Sequence, residues 1–184
     1  MISDKNFVWI DLEMTGLNPD VDVILEIATI ITDEQLNIID QGPHLIIGQF
    51  EEKLAVMNDW VKKTHTKSGL LDKVRASTVL VEEAEEQTMN FITQYCKAET
   101  AVLCGNSVWQ DRAFMRKYMP RIIEYLNYRL IDVSSIKTVV RRWYPQSPQK
   151  DYKKDDKHRA LDDILESIQE LKHYRRYFFV GQDK

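Results

Sequence analysis

The sequence predicts an α/β fold built on a mixed five-stranded sheet flanked by helices. Two observations predict it. Three stretches rich in β formers follow one another at the start of the chain, joined by short polar turns, the pattern of an antiparallel meander. The apolar period then changes from two to about 3.6, and short buried strands alternate with amphipathic helices. A meander followed by such alternation gives the order β-β-β-α-β-α-β-α-α, a mixed sheet with helices packed on it.

Each element has its own signal. Phe7-Val8-Trp9-Ile10 is a short apolar strand that runs into Asp11-Leu12-Glu13-Met14-Thr15-Gly16. Ile24 to Thr32 is a β-branched strand with Glu26 inside it, and Thr32-Asp33-Glu34-Gln35 is a turn. Leu36 to Ile47 is a third strand, interrupted by Gly42-Pro43. Thr78 is a candidate helix cap, with Glu82 and Glu83 suited to the positive first turn. Val81, Ala84, Thr88, Phe91, Ile92 and Tyr95 recur at helical spacing behind it. Ala101-Val102-Leu103-Cys104 is a buried strand stopped by Gly105-Asn106, and the next helix starts near Trp109 and ends before Pro120. Tyr128 to Ile131 reads as the fifth strand. Ile136, Val140 and Trp143 share a helix face that ends at Pro145, and the polar stretch from Pro145 to Lys157 is a loop. Leu161, Ile164, Leu165, Ile168 and Leu171 mark a final amphipathic helix.

Composition sets the outer bounds. A chain of 184 residues is expected to form one domain, spanning 1–184. Cys96 and Cys104 form no C-x-x-C pair and no disulfide framework, which suits two thiols in a reducing cytosol. The start of the chain runs directly into the first strand, and no apolar stretch is long enough to span a bilayer, so the expected location is cytoplasmic. The net charge is −4. Proteins that track long nucleic acids carry a basic footprint, because phosphate neutralisation supplies most of their affinity. A nucleic-acid-acting protein of this charge is expected to grip few phosphates.

The acids are the residues that suggest chemistry. Asp11 and Glu13, two apart on a strand, point to one face. Carboxylates held side by side stay ionised cheaply only with a cation between them, and oxygen ligands suit Mg²⁺ or Mn²⁺. Taken alone, a D-x-E is weak evidence, equally a pair of solvated acids. Asp111 follows a buried strand, a Gly105-Asn106 turn and a helix start, a position where ligands gather beyond strand ends but where the helix dipole also favours any acid. His158 stands where the charged loop enters the last helix. Asp162 and Asp163 both lie off that helix's apolar stripe, and periodicity does not choose between them. A loop histidine ahead of a helical acid fits a general base beside a metal ligand.

These residues together resemble a known pattern. Asp11-x-Glu13, Asp111 and His158-x-x-x-x-Asp163 are similar to the DEDDh exonuclease superfamily, with its ribonuclease H-like fold. Trp9 to Leu17, Thr64-His65-Thr66, Gly105-Asn106-Ser107, Gln110-Asp111-Arg112, Tyr128-Arg129, Asp132-Val133-Ser134 and His158 to Asp163 resemble the oligoribonuclease family within it. The similarity runs from about Asn6 to Tyr177, and no core catalytic position departs from the pattern; Trp109, between Ser107 and Asp111, is not a characteristic residue of it. The resemblance implies 3′→5′ hydrolysis of short RNA oligonucleotides, especially dinucleotides, to 5′-mononucleotides. It implies two divalent cations, Mg²⁺ or Mn²⁺, held by Asp11, Glu13, Asp111 and Asp163, with His158 as general base. It also implies substrate contacts: Leu17 wedged beside the bases, Trp60 and His65 at the terminal nucleoside, and Ser107, Arg129 and Ser134 around the 5′ phosphate. A homodimer is implied, in which Tyr128 reaches the partner's catalytic centre. The aromatic stretch Tyr125, Tyr128, Trp143 and Tyr144 suits such an interface and suits a core equally. The rival expectations are a related exonuclease acting on longer RNA or DNA ends, and a non-catalytic RNA-binding module on the same fold.

Overall fold

The computed structural model describes residues 2–153 and 159–179. Strands β1 (Phe7–Met14), β2 (Ile24–Thr32) and β3 (Ile38–Ile46) form the antiparallel meander. Three short helices follow, α1 (Glu51–Leu54), α2 (Asp59–Lys67) and α3 (Leu70–Ala76), then α4 (Val81–Tyr95). Strand β4 (Val102–Gly105), helices α5 (Trp109–Tyr118) and α6 (Pro120–Tyr125), strand β5 (Leu130–Asp132) and helices α7 (Val133–Trp143) and α8 (Ala160–Phe178) complete the order. The sheet runs β3-β2-β1-β4-β5, with β4 parallel to both β1 and β5. The expected mixed five-stranded sheet flanked by helices is therefore the observed one.

Strand periodicity sorts the central strand onto two faces. Val8, Ile10 and Leu12 are buried with Ala84 and Ile92 of α4 and Phe114 and Met115 of α5. Trp9 is buried on the opposite face, with Ile164, Ile168 and Tyr174 of α8, and its indole N–H donates to the Thr32 hydroxyl at 3.0 Å. Asp11 and Glu13 continue the Trp9 side, so both carboxylates are delivered to the face covered by α8. A third, smaller core under α2 and α3 gathers Leu25, Val61, Leu70 and Val74.

Several local expectations are corrected. β1 does not stop at Ile10. It pairs with β2 as far as Met14↔Ile24, so Asp11 and Glu13 lie inside the strand, not past its end. Thr78 does not cap α4. The Leu80 N–H donates to Glu83 Oε2 at 2.9 Å, and the helix begins at Val81. β5 begins at Leu130, leaving Tyr128 in the approach to it. Trp143 does not share the buried face of α7. Only Val133 and Val140 of that helix are buried, a stripe too narrow to reach Trp143, which is 74% exposed. Helices α1, α2, α3 and α6 have no counterpart in the sequence reading. The first three are short, and the longest of them, α2, buries only Val61 and His65, so no apolar stripe announces it.

Candidate active site

The acidic site forms where β1, α5 and α8 meet. Carboxylate oxygens of Asp11, Glu13 and Asp163 lie within 4.8 Å of one another. Asp163 stands in the first turn of α8, its N–H donating to the Arg159 carbonyl at 3.0 Å. Asp111 enters from α5, buried, and its Oδ1 accepts the Leu12 N–H at 3.0 Å. That bond sits just beyond the last β1–β4 pair, Trp9↔Cys104, so the Asp111 carboxylate takes the place of a strand partner. The sequence-predicted acids thus come together from three elements, and Asp163, not Asp162, is the member of the cluster contributed by α8.

Burial and crowding set the electrostatics. Burial, then the charges of Asp111, Glu13 and Asp163, hold the Asp11 carboxyl well above the usual carboxylate range. Glu13 is pushed up to about 8 by burial and then by Asp163, Glu26 and Asp111, with Arg159 opposing. Asp111 is raised to about 7 by burial, against the pull of the Leu12 N–H. Half-buried carboxylates this close to one another demand a counter-charge, and hard oxygen donors of this kind match Mg²⁺ or Mn²⁺. The residues present fit a divalent cation.

Beside the acids, His65 of α2 is 3% exposed. Its Nε2 lies 2.9 Å from the Met14 carbonyl and its Nδ1 3.9 Å from Glu13 Oε2. Leu17 is 72% exposed on a loop with firm anchors. Gln110 Nε2 donates to the Leu17 carbonyl at 2.5 Å, and Asp22 accepts the Thr15 hydroxyl and the Asn18 N–H, each at 2.9 Å. Gly16 allows the loop to close, since a Cβ there would stand 2.4 Å from the Asp22 carboxylate. Trp60 is exposed. Ser107 and Ser134 meet, Oγ to Oγ, at 3.1 Å. The Arg129 guanidinium lies 4.6 Å from the centroid of the Tyr128 ring, and Tyr128, Trp143 and Tyr144 are all exposed. His158 and Lys157 lie outside the described residues.

Supporting residues escaped the sequence reading. Glu26, fully buried on β2, pairs in register with Glu13 and so shares its face. Its carboxylate accepts from Arg159 Nη2 at 2.8 Å and from Arg159 Nε at 3.1 Å, and it contacts His44 Nε2. A glutamate inside an apolar strand was the available signal, but nothing in the sequence names a partner 133 residues away.

The chain as a whole is similar to known proteins. The RNase_T family model, described as exonuclease, matches residues 8–171. The chain is 51% identical over 176 residues to an oligoribonuclease of Shewanella loihica, covering 96% of this chain and 97% of that one. It is 50% identical over 178 residues to an oligoribonuclease of Pseudomonas paraeruginosa, covering 97% and 98%. In structure it is similar to exonuclease I of E. coli in complex with an oligonucleotide, at a TM-score of 0.73 and 15% identity, over 96% of this chain and 42% of that one. Exonuclease I of Methylocaldum szegediense gives a TM-score of 0.71 at 15% identity, over 94% of this chain and 41% of that one.

Proposed function

We propose that this chain, which belongs to the oligoribonuclease family of exonucleases, acts as a 3′→5′ exoribonuclease specialised for the shortest RNA fragments, dinucleotides above all. The observation that carries the reading is the convergence of the Asp11, Glu13 and Asp163 carboxylates, with Asp111 locked under β1 beside them. Asp11, Glu13, Asp111 and Asp163 would hold two divalent cations, Mg²⁺ or Mn²⁺. When bound, such ions supply Lewis-acid stabilisation of the charge on the attacking and leaving oxygens of an in-line displacement. His158 takes a proton from the attacking water, general-base work. The products are a 5′-mononucleotide and a chain one residue shorter.

The remaining residues select the substrate. Leu17, exposed on its anchored loop, wedges beside the bases. Trp60 and His65 contact the terminal nucleoside. Ser107, Ser134 and Arg129 receive the 5′ phosphate. The net charge of −4 agrees with a ligand of one or two phosphates, because a long basic groove gains nothing there. Among the described residues no helix is long and apolar enough to cross a membrane.

The decisive experiment offers labelled RNAs, from dinucleotide to long chains, with Mg²⁺, with Mn²⁺ and with a chelator. Rapid metal-dependent cleavage of the dinucleotide and slow action on long chains is the expected result. Efficient digestion of long RNA or DNA that leaves dinucleotides behind overturns the specificity while keeping the chemistry. The chain acts as a homodimer in which Tyr128 serves the partner's site. Mixing inactive Asp11→Asn with Tyr128→Phe protein then restores about a quarter of the full set of sites, since half the dimers are mixed and each holds one complete site. No restoration on mixing rules out the shared site.

A further inference from the structure

A directed chain of hydrogen bonds joins the surface at Ser107 to the helix that carries Asp163. Ser107 adopts a φ of 52°, a left-handed conformation that residues with a Cβ rarely take. Such a conformation persists only where its surroundings over-determine it. Asp132 Oδ1 accepts the Ser107 N–H at 3.0 Å and the Ser134 N–H at 2.9 Å, so one oxygen holds both the turn after β4 and the start of α7. The Ser107 hydroxyl donates to Ser134 Oγ at 3.1 Å, and the Ser134 hydroxyl donates to Asn106 Oδ1, also at 3.1 Å. Asn106 Nδ2 donates to Ser167 Oγ at 2.6 Å and to Glu170 Oε2 at 3.2 Å, and the Ser167 hydroxyl donates to the Asp163 carbonyl at 2.7 Å.

The orientation of the Asn106 amide follows from the far end. Glu170 is fully buried, with Lys137 Nζ at 2.7 Å and the Tyr174 hydroxyl at 3.0 Å on its Oε1. Paired with an ammonium, its carboxylate offers acceptors only. Nδ2 must therefore face α8 and Oδ1 must face Ser134. A serine hydroxyl has one proton, and that of Ser134 is committed to Asn106. Of the two serines, Ser107 is the one whose proton lies at the exposed end of the chain, able to turn from Ser134 to an incoming oxygen.

We infer that Asn106 is a positioning residue for the 5′ end of the substrate: it fixes the Ser107–Ser134 hydroxyl pair so that Ser107 donates to the 5′ phosphate, and it ties that pair to α8. The inference rests on the reading that the 5′ phosphate docks at this serine pair, and within the pair it gives the donation to Ser107 and the positioning to Ser134.

The test is the ratio of kcat/KM for a 5′-phosphorylated dinucleotide to that for its 5′-hydroxyl counterpart. Asn106→Ala is expected to lower this ratio about tenfold, the worth of one hydrogen bond to a charged group, with the loss in KM and not in kcat. Combined with Ser134→Ala, it is expected to lower the ratio no further than either change alone, because Asn106 acts through Ser134. Asn106→Ser keeps a polar group near Glu170 but is one atom shorter and does not reach Ser134. It carries the same expectation should Asn106→Ala fail to fold by circular dichroism. A wild-type ratio in the Asn106 variants, or losses that multiply in the double variant, overturns the inference. A wild-type ratio in Ser134→Ala itself overturns the parent reading of the phosphate site instead.

Discussion

The raised carboxyls of the acidic site make stability depend on pH in a direction opposite to that of ordinary paired acids. Glu13 moves from an unfolded value of 4.5 to about 8 when folded. Between those values the unfolded chain is ionised while the folded chain holds the proton. Stability conferred by the site is thus complete below about pH 4.5 and is lost as pH rises toward 8. At 1.36 kcal/mol per pH unit, Glu13 sets an upper bound of about 5 kcal/mol on that loss. Asp111, raised to about 7, works in the same direction through the same mutual repulsion, so it shares the figure more than it adds to it. A divalent cation binds the ionised, folded site and releases protons on binding, which restores the stability most where most was lost. For a chain of this size 1 kcal/mol is worth roughly 2–4 °C, so the bound corresponds to about 10–20 °C. The assay is thermal unfolding from about pH 5 to pH 8, with a chelator and with Mg²⁺. The expected result is a chelated Tm that falls across this range and a Mg²⁺ increment that grows across it, both reduced in Glu13→Gln. A Mg²⁺ increment equal at both ends, or a slope untouched by Glu13→Gln, refutes the reasoning.

Three further outcomes follow from the same geometry. Asp11→Asn removes one of the crowded charges without changing shape; cleavage should fall by more than about 10²-fold while the chelated protein melts several degrees higher, and surviving activity would remove Asp11 from the metal set. Arg159→Ala leaves Glu26 buried without its bidentate partner; urea unfolding should show a loss of about 3 kcal/mol or more, against which a loss below 1 kcal/mol would argue that His44 alone suffices. Trp60→Ala alters an exposed side chain, so stability should stay within about 0.5 kcal/mol of wild type, while KM for a dinucleotide rises roughly tenfold from lost stacking; an unchanged KM would take Trp60 out of the substrate site.

What the sequence reveals and what it hides divides by the range of the interaction. The meander, the α4 and α8 stripes and the paired acids are local patterns, and they read correctly. The end of β1 does not, because Asp and Glu are poor strand formers and only the ladder to β2 carries the strand through them to Met14. The α2 helix hides because its one clear signal is the Asn58 side chain, which accepts the Val61 N–H at 2.9 Å, in a stretch with no apolar face. The residues that hold the site in shape are hidden most completely. Asn106 meets Ser167 across 61 residues and Gln110 meets Leu17 across 93, and no local period encodes such pairs.

Glu26 shows how a local misfit becomes intelligible at the level of the site. A glutamate in the middle of β2, whose every residue is buried, is unfavourable by strand propensity and by burial. Placed opposite Glu13, it also adds a fifth acid to the charges that already raise Asp11 and Glu13. What it brings in return is Arg159. The guanidinium that neutralises Glu26 is also the charge that opposes the rise of Glu13. Arg159 precedes α8 directly, and its carbonyl receives the N–H of Asp163. One partly buried ion pair therefore fixes the base of α8 against β2, and with it the distance from Asp163 to the acids of β1. The misfit in the strand is the condition for the cluster at its end.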